Sequence, residues 1–182
     1  LIIVGTVPIA VLGLLFREQV ENDVRQLWVI GVTLIVFGLL LGLADFIGKK
    51  RRAISELGVG SGIAFGIGQA LALIPGVSRS GGSITVGLLL GFTREAAARY
   101  SFLLAIPAVL AAGTLQFVSS FGDLPQDLLL ATITATIVSF VSGYAVIAWL
   151  LRYLERGSFL PFVLWRVMVG SLLLIGLAIG AI

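Results

Sequence analysis

The sequence predicts an all-α, polytopic integral membrane protein in which transmembrane helices accompany a re-entrant helical hairpin. Three observations predict it. Of the 182 residues, 59% are hydrophobic and only 12% are charged, with a mean hydropathy of +1.15; soluble domains carry about 25% charged residues. Four apolar runs, at 27–46, 100–118, 128–151 and 162–182, match the roughly 20 residues that cross a bilayer. Between the first two lies QALALIPGVSRSGGSITVGLLLGF, residues 69–92. Each of its apolar arms is too short to span, and a knot of one arginine and three serines separates them. Such a knot has no place facing lipid. Irregular backbone at membrane depth is tolerated where protein buries it or water lines it, so the arms are expected to fold back with the polar tip in a cavity.

The elements follow in order. Residues 1–16 are an apolar segment containing Pro8, short for a span and read as one whose start lies upstream. There is no basic n-region, so it does not read as a signal peptide. Residues 17–26 (REQVENDVRQ) are a polar loop. The first full-length span, 27–46, carries Asp45 near its end and is closed by Gly48 and the run Lys49, Lys50, Arg51 and Arg52. Pairing at that interface is the expectation for Asp45. The hairpin occupies about 59–92, with a first arm at 59–74 and a second resuming at Ile84, opened by Gly81, Gly82 and Ser83. TREAAAR, residues 93–99, reads as a polar connector, with Thr93 a helix cap and Glu95 suited to a first turn. The span at 100–118 contains Pro107, and a loop with Gly122 and Pro125 follows. The span at 128–151 is rich in Thr, Ser and Gly, which let helices approach closely in lipid. A turn at 152–161 leads to the last span. The whole of 1–182 reads as one membrane domain.

Charge orients these elements. If the hairpin enters and leaves on one side, the loops there hold Lys49, Lys50, Arg51, Arg52, Arg94, Arg99, Arg152 and Arg156, and the opposite loops hold only Arg17 and Arg25. The acids Glu18, Glu21, Asp23, Asp123 and Asp127 fall on that opposite side. A hairpin that crossed the membrane would lose most of the bias that positive-inside topology requires. The net charge of +3 is therefore topological. Its residues form no stripe along a groove, and no nucleic-acid partner is expected. With no cysteine and no histidine, thiol chemistry, thiolate metal sites and the commonest near-neutral base are excluded.

Chemistry concentrates at the tip. Arg79 sits where a charge costs at least about 2.5–3.5 kcal/mol. An arginine there snorkels, pairs with an acid such as Asp45, or binds an anion. Its planar fork of donors suits phosphate oxygens. The amides of Gly81, Gly82 and Ser83, opening a helix, favour an anion as well, and Ser78, Ser80 and Ser83 add hydroxyls. Each serine alone fits capping or helix packing equally well; three with an arginine and two glycines in six residues favour a site. Gln69 is read as an interhelical hydrogen bond or a substrate contact. Arg166 is expected to snorkel to the basic side. Glu18 and Glu21 belong to a solvated loop. The candidate catalytic residues are Arg79 and Ser78. The candidate binding residues are Ser80, Gly81, Gly82, Ser83 and Gln69. No metal ligand and no general base stands out.

The run PGVSRSGGS (75–83) resembles the signature Pro-Gly-x-Ser-Arg-Ser-x-x-Thr of the bacterial undecaprenyl pyrophosphate phosphatase family, also known for bacitracin resistance. Ser83 stands where the signature has Thr, keeping the hydroxyl. The flanks are similar too: Gln69 with ALALIP before, GLLLGFTREAAARYSFLLAIPAVLAAG after, VPIAVLGLLF near the start and WRVMVG in the last span. The resemblance covers essentially the whole chain and implies the C-terminal two-thirds of such a protein. It implies an inverted-repeat fold with two re-entrant hairpins in the bacterial inner membrane, a site opening to the outer face, and hydrolysis of undecaprenyl diphosphate to the monophosphate that carries cell-wall precursors. It also implies a divalent cation, Mg or Ca, whose ligands are not in this chain. The family's Glu-x-x-x-Glu pair and nearby His are absent, so the phosphate-binding half carries over: Ser78, Arg79, Ser80 and Ser83. The expected partners are the lipid-linked diphosphate and the bilayer, with a homodimer left open. A transporter or flippase for an anionic or lipid-linked solute fits a broken helix and a midplane arginine on physics alone.

Overall fold

The structure, a computed structural model, describes residues 1–16, 26–119 and 126–181. The expectations placed on Arg17, Glu18, Glu21, Asp23, Arg25, Gly122, Asp123, Pro125 and the Asp127 side chain lie outside the described residues. Among those residues the chain forms seven α-helices: α1 (Ile2–Leu15), α2 (Leu27–Ile47), α3 (Val59–Ala70), α4 (Arg79–Leu89), α5 (Arg94–Ser119), α6 (Gln126–Leu154) and α7 (Leu160–Ala178). Short 3-10 turns at Ile54–Glu56 and Leu71–Leu73 join them. Four of the helices, α2, α5, α6 and α7, are long and apolar enough to cross a membrane; α1 and α3 are apolar but shorter.

The hairpin closes on itself. The Arg51 and Arg52 amides both donate to the Gly91 carbonyl at 2.9 Å, and the Thr93 amide returns a 2.9 Å bond to the Arg52 carbonyl. The chain therefore enters α3 and leaves α4 at the same place. The Arg52 guanidinium braces this base, donating to Leu90 O at 3.3 Å and Glu56 O at 3.0 Å while lying 4.2 Å over the Phe92 ring. Inside the hairpin, α3 and α4 cross backbone to backbone. A methyl on Gly82 would overlap the Gly68 carbonyl, so only glycine permits this approach.

One buried acid ties three elements at that level. Asp45, near the end of α2, accepts from Arg94 Nε at 2.6 Å and from the Phe159 amide at 3.1 Å. Its partner is thus the first residue of α5 rather than the Lys49–Arg52 run expected from sequence. The end of α2, the start of α5 and the turn before α7 all lie on the basic side, as the charge bias requires.

α5 corrects a second expectation. REAAAR belongs to the helix, and Thr93 caps it. Thr93 Oγ1 accepts from the Ala96 amide at 3.2 Å, Glu95 and Arg99 pair at 3.2 Å four residues apart, and Ala96, Ala97 and Ala98 are buried in the core. Alanine is the best helix former, and here it also lets α5 pack closely. The core gathers around the hairpin: Phe65, Leu88, Phe92, Tyr100 and Leu104. Phe65 meets Phe92 and Tyr100 edge-on at 5.5 and 4.9 Å. On the other flank α2 packs along α7, and α1 lies against α3. Gly31 and Gly170 leave no room for a side chain between α2 and α7, which is how membrane helices gain contact.

Candidate active site

The tip runs from Pro75 to Ser83. Gly76 adopts φ +88°, a left-handed conformation that glycine takes at least cost. A side chain there would also strike Thr33 of α2. Thr33 Oγ1 donates to the Pro75 carbonyl at 2.6 Å. Thr33 lies 14 residues before the end of α2, so at 1.5 Å per residue the tip reaches about 21 Å from the basic end.

Ser78 caps α4. Its Oγ accepts from the Gly81 amide at 3.2 Å and its carbonyl from the Gly82 amide at 2.9 Å. A cap of this kind is worth about 1 kcal/mol. The helix therefore begins at Arg79, not at Gly81 as the glycines suggested, and the amides of Gly81 and Gly82 are engaged. The first-turn amides with no partner among the described residues are those of Arg79 and Ser80. Those N–H groups, not the glycine ones, face outward at the positive end of the helix.

The side chains divide into two sets. Arg79 is exposed, and no hydrogen bond or ion pair holds its guanidinium to another described residue. Ser78 and Ser80 sit beside it, half-buried, with their hydroxyls 3.2 Å apart. Ser83 points the other way. It is fully buried, donates to the Arg79 carbonyl at 2.9 Å, and lies 2.6 Å from Ser101 Oγ on α5. It is an anchor of the helix, as Gly82 is a point of close approach. Gln69 is fully buried. Among the described residues the hydrogen bond expected for it is not made, and both its amide atoms lack a partner.

Arg166 is the residue that sequence reasoning misplaced. Its Cβ lies at the level of Gly38, yet its Nη2 donates to the Gly76 carbonyl at 2.8 Å, and Gly76 contacts Ile30 and Thr33. On α2 that is toward the start of the helix and away from the basic end. Arg166 therefore reaches into the tip instead of snorkelling to the basic side. Ser101 was missed as well; a serine in YSFLL carries no signal.

Two arginines thus converge on the first turn of α4 with no acid opposite them. Among the described residues the ion pairs are Arg94–Asp45 and Arg99–Glu95, both at the basic end. Cations without an acid among the described residues, beside free amides and hydroxyls, have the donor chemistry that an anion takes. The tip does not suit a divalent cation by itself. Its donors are arginines, hydroxyls and amides, whereas Mg and Ca take carboxylate and carbonyl oxygens, and among the described residues no three acids or histidines cluster.

Residues 1–172 match the family described as bacitracin resistance protein BacA. The chain belongs to this family. A Nocardioides protein named undecaprenyl-diphosphatase is 53% identical over the full chain, which spans 66% of that relative. A Kineococcus radiotolerans protein of the same name is 55% identical over 92% of the chain and 59% of its own length. An Agrobacterium fabrum relative, undecaprenyl-diphosphatase 2, is 53% identical over the full chain and 66% of its length. The chain thus spans somewhat under two-thirds of these relatives. Within the BacA family frame, the all-α architecture and the four apolar spans make it a multi-pass membrane protein.

Proposed function

We propose that this chain supplies the phosphate-binding part of an undecaprenyl-diphosphatase, which hydrolyses the P–O–P anhydride of undecaprenyl diphosphate and returns the monophosphate carrier to cell-wall synthesis. The observation that carries the reading is Arg79. It is the exposed, unpaired cation of a re-entrant tip, flanked by two serine hydroxyls and two free amides. The names of the relatives support the substrate.

In this reading the terminal phosphoryl group rests on the first turn of α4. Arg79 takes two of its oxygens with the guanidinium fork, and the Arg79 and Ser80 amides and the Ser78 and Ser80 hydroxyls hold the rest. These donors stabilise the charge that grows on the phosphoryl oxygens as the anhydride breaks. Gln69, buried with both amide atoms unpaired among the described residues, is read as a further contact, whereas Gly81, Gly82 and Ser83 hold the cradle's shape. The group that activates water lies on parts of the protein beyond these helices, and so do the ligands of any Mg or Ca ion. The bilayer is the setting, the inner membrane the location, and the tip opens to the outer face, because the basic loops lie opposite it.

The second reading, transport of an anionic or lipid-linked solute, rests on the same broken helix. Purified full-length protein separates the two. The diphosphatase reading expects phosphate release from a polyprenyl diphosphate in detergent. Solute flux into vesicles without phosphate release would replace it with transport.

A further inference from the structure

Arg166 is the second intramembrane cation of the chain, and its contacts give it more than a structural use. One of its five N–H groups holds the Gly76 carbonyl. Its Nη1 lies against Gly81, 3.3 Å from where a Cβ would stand. Its Nε is buried without a partner. A carbonyl takes a neutral donor as readily as a charged one, and an arginine charge at this depth is costly, so the tie to Gly76 does not by itself account for the charge. Nor does an acid: the described ion pairs lie at the other end of the hairpin. Arg166 Nε is one of three buried side-chain atoms left unpaired among the described residues. Buried polar groups are normally satisfied, so this unspent donor, on the guanidinium that reaches the first turn of α4, marks where a ligand's oxygen belongs.

We propose that Arg166 is a second anion-binding residue of the tip, sharing the charge of a diphosphate with Arg79. This rests on the phosphate-binding reading above and assigns to it a residue outside the PGVSRSGGS run. Arg79 offers an exposed fork from the first position of α4. Arg166 reaches the same turn from α7, behind Gly81, so the two cations approach it from different helices. A diphosphate presents two charged phosphoryl groups; a monophosphate presents one. The arrangement therefore favours the diphosphate over its product, and it couples α7 to the ligand through the Gly76 carbonyl.

The test uses full-length protein in detergent and inorganic pyrophosphate as the probe, with binding read by calorimetry. R166Q is expected to weaken pyrophosphate binding about 10- to 100-fold, the range for losing a charge-assisted hydrogen bond, while its melting temperature stays close to that of the parent. R166K, which keeps the charge, is expected to retain most of the affinity. Unchanged binding in R166Q, or equal losses in R166K and R166Q, would overturn the proposal and leave Arg166 a packing residue. Should R166Q fail to accumulate, R166M, neutral and closer in length, takes its place: a 10- to 100-fold loss supports the shared charge, and unchanged binding contradicts it. R79A keeps the two readings apart. Binding that survives R79A removes the anion site itself; binding lost in R79A but not in R166Q removes only the role of Arg166.

Discussion

Asp45 and Arg94 meet at 2.6 Å across 49 positions of chain, joining the helix before the hairpin to the helix after it. The same carboxylate takes the Phe159 amide, so one side chain fixes α2, α5 and the turn into α7. The hairpin hangs from this junction, and the tip's position depends on it.

Removing that carboxylate should loosen the hairpin base without touching the tip. Asp45→Asn keeps one acceptor and loses the charge. It is expected to cost about 1.5–3 kcal/mol, the range for hydrogen bonds to charged groups. The check is thermal unfolding in detergent. An Asp45→Asn protein as stable as the parent would show that the junction is incidental.

Ser83 and Ser101 give a second stability test. Both are buried and their hydroxyls lie 2.6 Å apart. Ser83→Ala leaves Ser101 unsatisfied and should cost about 1–3 kcal/mol. Ser83→Thr, which keeps the hydroxyl, should cost less. Adding Ser101→Ala to Ser83→Ala should cost less than the sum of the single changes, since the pair is coupled. Additive losses would mean that the contact contributes nothing.

The hairpin was legible because its signal is local. A polar knot between two short apolar arms has few physical solutions, and the arms do fold back so that their outer ends meet. The start of α4 was legible only in part. Gly81 and Gly82 suggested an opening turn, but Ser78 caps three residues earlier and spends their amides. The first turns of α5 were hidden by charge: Arg94, Glu95 and Arg99 read as a connector, while the alanines between them pack into the core. Arg166 was misdirected because a linear sequence places an arginine at a depth but does not say which way it points. The available hint was that two arginines stand in apolar surroundings and only one acid, Asp45, accompanies them.

Topology can be read with cysteines, because the chain has none of its own. Cysteines at Lys49 and Arg156, both exposed on the basic side, should resist an impermeant thiol reagent added outside cells. A cysteine at Arg79, exposed at the tip, should react. Reaction at Lys49 together with protection at Arg79 would invert the orientation.

The tip carries the donors that an anion takes and, among the described residues, no base. Among the described residues its neighbours are serines and arginines, and the buried acid, Asp45, is tied up at the far end. The 182-residue chain alone is therefore expected to bind pyrophosphate and to release no phosphate. Lacking a general base forfeits about 10²- to 10⁴-fold in rate. Co-expression with the remainder of a full-length relative should restore release. Turnover by the chain alone near the full-length rate would contradict this division of labour.

The most direct measurement is phosphate release from a polyprenyl diphosphate by full-length protein carrying Arg79→Ala or Arg79→Lys. The Arg79 side chain is exposed and its guanidinium makes no hydrogen bond or ion pair to other described residues, so its removal should leave folding and membrane insertion intact. The account predicts that Arg79→Ala abolishes release and that Arg79→Lys is strongly impaired, because a point charge does not replace the planar fork. Near-parental turnover in Arg79→Ala would contradict the central claim that this tip binds the phosphate.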